Sequence, residues 1–280
     1  TTPGENPLNM GFNININGGA AGAPGSYLGV NNFGNVCDGR RTSVFAVPGL
    51  EEYYGKDIFL TEALTLEAIK ALDKVKQEDK PFFLYMSHYA IHGPIEKDMR
   101  FYAKYKKKGL SDTDAGYAAL LEGMDKSLGD LMDYLESNKL MDNTIILFMS
   151  DNGGMATEFY GLNPLYMQNA PLGSGKGAAH EGGIREPMIV YWPEVTAPRS
   201  ECDKYLIIED FFPTILEMAQ IKRYHTVQHI DGVSFVPLLK GTGDSSKNRS
   251  LYWNFPNGWG KPGPGFGASC TIRKGDWKLI

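Results

Sequence analysis

The sequence predicts an α/β protein: a doubly wound, mostly parallel sheet flanked by helices, followed by the start of a small antiparallel subdomain. Three observations lead there. Apolar runs of strand length alternate with helical stripes between residues 57 and 245. The runs are continuous rather than alternating, the pattern of strands covered on both faces. After about residue 245, short aromatic runs are separated by Gly- and Pro-rich chain, the texture of antiparallel strands.

Residues 1–56 are rich in Gly, Asn and Pro with little periodicity. They read as irregular chain around one short strand, or as the loop-rich wall of a site. So long an irregular opening fits a chain cut from a larger protein. Leu64, Ala68, Leu72 and Val75 then recur at helical spacing, which predicts a helix over 61–78. Pro81 precedes a short apolar strand at 82–86. Ser111 and Asp114 form a capping-box pattern that starts a second helix. Its expected core stripe is Tyr117, Leu120, Leu121, Met124, Leu128, Leu131, Met132 and Leu135. The β-branched and aromatic run 143–149 is the next strand, and 188–192, closed by Pro193, the third. Residues 204–219 are helical with a break at Pro213. Runs 251–255 and 277–280 are the antiparallel strands, so the expected division is 1–245 and 246–280.

A chain of 280 residues, 42% of them hydrophobic, is long and apolar enough to bury a sizeable core. Its net charge of −5 offers no ground for expecting nucleic acid as a partner. Lys104, Lys106, Lys107 and Lys108 read as solvated surface. No apolar run reaches the length of a membrane span. Cys37, Cys202 and Cys270 are far apart and match no zinc spacing.

The residues that could carry chemistry lie at the carboxyl ends of the expected strands, where open α/β sheets bind ligands. Asp151 and Asn152 follow the 143–149 run and precede Gly153 and Gly154. They offer hard oxygens suited to Ca²⁺ or Mg²⁺, although Asp-Asn-Gly also makes ordinary turns. His92 sits in a Gly-Pro turn at a strand end and reads as functional; His88 reads as structural. Lys176, between Gly175 and Gly177, could approach an anion closely or belong to a surface loop. Position 177 is not Ser or Thr preceded by a Walker spacing, so this is no P-loop. Arg185 and Glu186 read as a structural ion pair. Trp253, Asn254 and Phe255, with Trp259 beyond, suit either stacking on a sugar or packing between subdomains.

Residues 81–94 (PFFLYMSHYAIHGP), 142–154 (DNTIILFMSDNGG) and 175–193 (GKGAAHEGGIREPMIVYWP) together resemble the sulfatases of the alkaline-phosphatase-like superfamily. Weaker echoes lie at 61–69, 209–219 and 272–280. The resemblance implies sulfate-ester hydrolysis through a formylglycine nucleophile, assisted by a divalent cation, usually Ca²⁺ with Mg²⁺ the other hard candidate. It implies that Asp151 and Asn152 are the second pair of metal ligands. It implies that His92 and Lys176 contact the sulfate and the leaving oxygen. His180 receives no role. The first metal pair and the Cys/Ser-x-Pro/Ala-x-Arg signature have no counterpart here. Cys37-Asp38-Gly39-Arg40-Arg41 has Gly where Pro or Ala belongs and is read as coincidence. The expectation is therefore a fragment of a sulfatase, inactive by itself. The rival readings are a phosphodiesterase or phosphonate hydrolase of the same superfamily and a non-catalytic remnant. A sulfated glycan is the expected substrate class. The family's periplasmic or secreted members suggest a location that this chain leaves open, as it does the oligomeric state.

Overall fold

The structure, a computed structural model, describes residues 6–17, 19, 21–35, 45–78, 80–155, 168–256 and 266–280. The Cys37–Arg41 run and residues 257–259 of the Trp-rich stretch lie outside them. The chain divides into two compact units, Thr1–Met141 with Glu158–Asn163, and Asp142–Thr157 with Pro164–Ile280.

In the first unit, helix α1 (Leu60–Lys76) buries Leu60, Ala63, Leu64, Ala68 and Leu72 on one face, as its periodicity requires. Helix α2 (Met99–Lys107) is capped by Asp98. Helix α3 (Asp112–Ser137) is capped by Ser111, whose hydroxyl oxygen accepts from the Asp114 amide at 3.1 Å. The buried face of α3 differs from the expected stripe: Ala115, Ala119, Gly123 and Ser127 join Leu120, Leu131 and Leu135, while Leu121 faces solvent. Close packing explains the shift. A Cβ on Gly123 would sit 2.9 Å from Asp98 Oδ2, so only a small face lets the buried Asp98 approach. The Asp98 carboxylate in turn accepts from Arg100 Nε and Nη2 at 2.9 and 2.6 Å. Lys104 and Lys106 pair with Glu122 and Asp112 at 2.7 Å, which accounts for half of the basic cluster as paired surface.

The opening chain is irregular, as expected, yet it supplies the centre of this core. Tyr27, Phe33, Val47 and Leu50 are fully buried against Phe59, Leu60, Leu64 and Leu120. The strand expected at 82–86 does not form: among the described residues this segment joins no sheet. Phe82 and Met86 pack over Ala68, Leu72 and Leu131, while Phe83, Leu84 and Tyr85 are exposed. The run lies on the helices as an apolar strap, so its hydrophobicity is used without a ladder.

In the second unit, strand β1 (Ile146–Met149) is followed by the single helical turn α4 (Glu181–Ile184) and strand β2 (Met188–Tyr191). The two strands pair antiparallel, Leu147 opposite Val190 and Met149 opposite Met188, where the sequence predicts a parallel ladder. Parallel neighbours need a crossover, usually helical. Among the described residues the connection carries only the four-residue α4. Leu147, Met188 and Val190 pack on Met218, Phe235 and Val236, whereas Ile189 on the opposite face is 63% exposed. The expectation of two covered faces failed because both faces are apolar in sequence and only one is covered here. Helices α5 (Phe211–Met218) and α6 (Val236–Leu239) supply that cover. Pro213 lies in the first turn of α5, where its missing N–H costs nothing, and so breaks no helix. Residues 204–207, expected to be helical, are not. The buried Asp210 carboxylate accepts from Arg249 at 2.7 and 2.6 Å and from the Val233 amide at 2.9 Å. Strands β3 (Ser250–Phe255), β4 (Ser269–Lys274) and β5 (Trp277–Leu279) form the expected small antiparallel sheet in that order. Among the described residues no helix is long and apolar enough to cross a membrane.

His88 is structural, as its sequence context predicts. Ser127 Oγ lies 3.3 Å from its Nε2 and 2.5 Å from Thr65 Oγ1, while Nδ1 is buried without a partner. Burial holds the imidazole down at about 4, below its ordinary 6.5. The unfolded chain therefore takes up a proton between those values that the folded chain does not. The associated stability is complete above pH 6.5 and declines as pH falls toward 4. Urea unfolding across that window should show a loss of up to ~3 kcal/mol, and His88→Gln should flatten the slope.

Candidate functional site

His92 belongs to the first unit. Its turn is set by the buried Tyr27, which stacks on Phe59 at 5.2 Å and whose hydroxyl donates to the His92 carbonyl at 2.8 Å. Burial pushes the Tyr27 phenol up, so it stays a donor. The exposed His92 ring places Nδ1 3.0 Å from the Gly93 carbonyl oxygen. A carbonyl only accepts, so Nδ1 carries the proton and Nε2 is the ring atom with a lone pair to use.

Asp151, Asn152 and Lys176 belong to the second unit, and three backbone contacts knit their segments together. The Gly153 amide donates to the Gly183 carbonyl at 3.2 Å, and the Lys176 amide to the Gly154 carbonyl at 3.0 Å. The Ser150 amide reaches the Pro187 carbonyl at 3.4 Å. A Cβ on Gly153 would overlap the Gly182 carbonyl, and one on Gly183 would overlap the carbonyls of Ala178 and Gly175. The glycines of both segments are thus a steric requirement of two chains running in contact. Asn169 completes the lattice. Its Oδ1 accepts from the Gly154 amide at 2.8 Å, and its Nδ2 donates to the carbonyls of Gly154 and Ser174 at 2.7 and 3.1 Å. Sequence reasoning missed Asn169. An isolated Asn in an unpatterned stretch carries no local signal, and its partners are fifteen and five residues away.

The electrostatics of this layer are acidic beside β1. Asp151 is exposed and Asn152 half-buried, with its Nδ2 donating to the Gly153 carbonyl at 3.1 Å, which leaves Oδ1 as the atom for a cation. The ion pair expected between Arg185 and Glu186 does not form: among the described residues none joins them, and Arg185 is exposed. Instead Glu186 Oε1 is buried without a partner. Burial, then the neighbouring Asp151 charge, pushes its carboxyl up to about 7. A like-charged pair with one unsatisfied buried oxygen is an environment that a hard divalent cation would neutralise. The donor set therefore fits Ca²⁺ or Mg²⁺. Among the described residues no cluster of three or more His, Cys, Asp or Glu is arranged to hold a metal; by themselves Asp151 and Asn152 offer only a minority of the roughly six to eight oxygen ligands that a cation such as Ca²⁺ takes. His180 precedes α4 with no side-chain cap bond, and no role emerges for it. Trp253 lies beside Lys278, whose Nζ is 5.9 Å from its ring centroid, which favours packing over sugar stacking for that residue.

Comparison with known proteins adds a second line of information. The sequence profile of the family described as Sulfatase matches residues 11–221. The profile described as N-sulphoglucosamine sulphohydrolase, C-terminal, matches residues 175–280. A sulfatase of Formosa agariphila is 34% identical over 211 residues, covering 70% of this chain and 37% of that protein. The crystal structure of Ps i-CgsB superposes with a TM-score of 0.76 at 27% identity, covering 99% of this chain and 59% of the other. Its complex with k-i-k-neocarrahexaose gives 0.74 at 26%, with the same coverage. PsFucS1 sulfatase from Pseudoalteromonas sp. shares the fold, with a TM-score of 0.60 at 23% identity over 86% of this chain and 43% of its own. The fold is the α/β, alkaline-phosphatase-like one. The chain spans well under half the length of the curated relatives it matches.

Two measurements test the site as a physical object. Gly153→Ala should cost about 2 kcal/mol in urea unfolding, since neither backbone can retreat. In EDTA, Glu186→Gln should raise stability at pH 8 but not at pH 5. The folded-state preference for the protonated acid is lost as pH rises through about 7. The gain should be about 1 kcal/mol at most, because the side chain is only partly buried.

Proposed function

Since the chain belongs to the sulfatase family, we propose that the complete protein is a sulfuric ester hydrolase acting on a sulfated carbohydrate. In this reading residues 1–245 are the later part of its catalytic domain and 246–280 the beginning of a small subdomain. Asp151 and Asn152 hold a hard divalent cation, Ca²⁺ or Mg²⁺, alongside ligands from elsewhere in the protein. When bound, the cation supplies positive charge to the sulfate oxygens and lowers the pKa of a hydroxyl beside it. The formylglycine nucleophile belongs to the part of the protein outside this sequence.

The roles of this chain's own residues derive from their chemistry. The Lys176 ammonium is a compact point charge on a loop whose neighbours, Gly175 and Gly177, have no side chains to hold an anion away. It binds a sulfate oxygen and stabilises charge developing on the leaving oxygen as the S–O bond breaks. His92 uses Nε2 at the leaving alcohol. With Nδ1–H tied to the Gly93 carbonyl, the Nε2 lone pair is the one that takes up a proton, and that proton is the one that passes to the departing oxygen. Glu186, buried beside Asp151, adds negative charge that favours retention of the cation.

The observation that most supports this reading is the hydrogen bond from the Lys176 amide to the Gly154 carbonyl. It ties the cation-bearing loop to the Asp151–Asn152 turn. The saccharide part of the proposal is supported by the relative whose crystals contain k-i-k-neocarrahexaose. Kinetics of the complete protein on matched sulfate and phosphate esters provide the test. Sulfate turnover should vanish in EDTA and return with Ca²⁺. Asp151→Asn and Lys176→Ala should each lower kcat/KM roughly a hundredfold or more. A preference for the phosphate ester, or turnover indifferent to both substitutions, would overturn the assignment.

A further inference from the structure

Glu181, the first residue of α4, is gripped by two cations of the C-terminal sheet. Its Oε1 accepts from Lys278 Nζ at 2.8 Å and from Arg273 Nη1 at 3.3 Å. Both cationic side chains are only 13% exposed. The Arg273 guanidinium stacks on Tyr205, 3.6 Å from the ring centroid, and its Nη2 donates to the Tyr205 hydroxyl. Lys278 is steadied by the Trp253 ring. A second tie lies three residues earlier, where Ala178 forms an isolated antiparallel bridge with Phe266. The 178–181 segment is therefore held at two points, electrostatically by the sheet and through the backbone by Phe266 in the chain leading into β4.

The two residues after Glu181 form the contact surface of the site. The Gly182 amide donates to the Gly173 carbonyl at 2.9 Å, and the Gly183 carbonyl receives the Gly153 amide. The Gly153 and Gly182 backbones leave no room for a Cβ between them. Gly182 and Gly183 follow Glu181 directly in the chain, so a shift of the Glu181 backbone is passed through these contacts to the turn bearing Asp151 and Asn152 and to the loop bearing Lys176. Pairing this partly exposed carboxylate, 32% of whose side chain is open to solvent, with two nearly buried cations adds little net stability, but the charge-assisted hydrogen bonds fix its orientation. We propose that the Glu181–Arg273–Lys278 clasp is a positioning device, through which the C-terminal sheet sets the placement of the Asp151–Asn152 turn and the Lys176 loop. Glu181 is given no contact with a metal ion or an ester in this proposal; it acts through the Gly182–Gly183 backbone. The chemistry of the positioned groups rests on the sulfatase reading, whereas the clasp itself does not.

The test uses the complete protein and two readouts that need no substrate. Glu181→Gln should increase amide hydrogen exchange in peptides covering 150–155 and 173–184 roughly tenfold, with global unfolding little changed. It should also weaken Ca²⁺ binding by calorimetry about tenfold. Lys278→Met should act in the same direction, and Lys278→Arg, which keeps the charge, should restore most of the protection. If Glu181→Gln does not fold, the two Lys278 variants decide alone. Exchange at 150–155 and 173–184 unchanged in folded Glu181→Gln or Lys278→Met would overturn the proposal, whether or not calcium binds. Turnover separates the two claims. Loosened exchange in a protein inert toward sulfate esters keeps the clasp and removes the sulfatase reading. Unchanged exchange in an active enzyme does the reverse.

Discussion

The contact between two glycine-bearing segments, Gly153 against Gly182 and Gly183, is the constraint on which the candidate site depends. Without side chains at these positions the Asp151–Asn152 turn and the segment entering β2 approach within hydrogen-bonding distance. The Lys176 loop is then tied to the same turn through the Gly154 carbonyl, and Asn169 bonds the Gly154 amide and the carbonyls of Gly154 and Ser174. Main-chain bonds of this kind do not rearrange with side-chain rotamers. The turn bearing Asp151 and Asn152 and the loop bearing Lys176, built on them, are held to a fixed separation, as the proposed electrostatic role requires.

Buried ionisable groups are handled in three ways. Asp98 and Asp210 are almost fully buried, and each is satisfied by an arginine together with backbone amides, so each acts as a finished structural knot. Glu186 is the opposite case. Its buried oxygen has no partner and its neighbour Asp151 carries the same charge. An acid left in that condition is costly unless something positive joins it, which is why the acidic end of β1 reads as a cation site whereas the other two acids do not. His88 is a third variation: a polar ring among helices, kept neutral by burial and touched by a serine hydroxyl.

Much of this was legible in the sequence where the signal is local. The helical spacing of Leu64, Ala68, Leu72 and Val75 marks α1, Ser111 with Asp114 marks the start of α3, and the aromatic runs after residue 245 mark two strands of the antiparallel sheet. The family is carried by three motif-bearing segments, and the profile match over residues 11–221 agrees with that reading. Local signals misled where they admit two outcomes. The run 82–86 is apolar enough for a strand, yet its neighbours are helices, so it packs as a strap. The stripe predicted on α3 follows the large apolar residues and omits the small ones, because closeness to Asp98 is not visible along the chain.

The sequence by itself determined the elements with strong periodicity, the turn residues, the chemistry on offer at positions 92, 151, 152 and 176, and the family. Each of these is written in residues adjacent or one helical turn apart. Tertiary structure alone decided that β1 and β2 run antiparallel, that Glu186 faces Asp151 instead of Arg185, that Asn169 stitches two loops, and that Glu181 is clasped by Arg273 and Lys278. These are relations between residues up to 97 positions apart. Such pairings are selected by packing and by the need to satisfy buried polar groups in three dimensions, and no single stretch of chain records them.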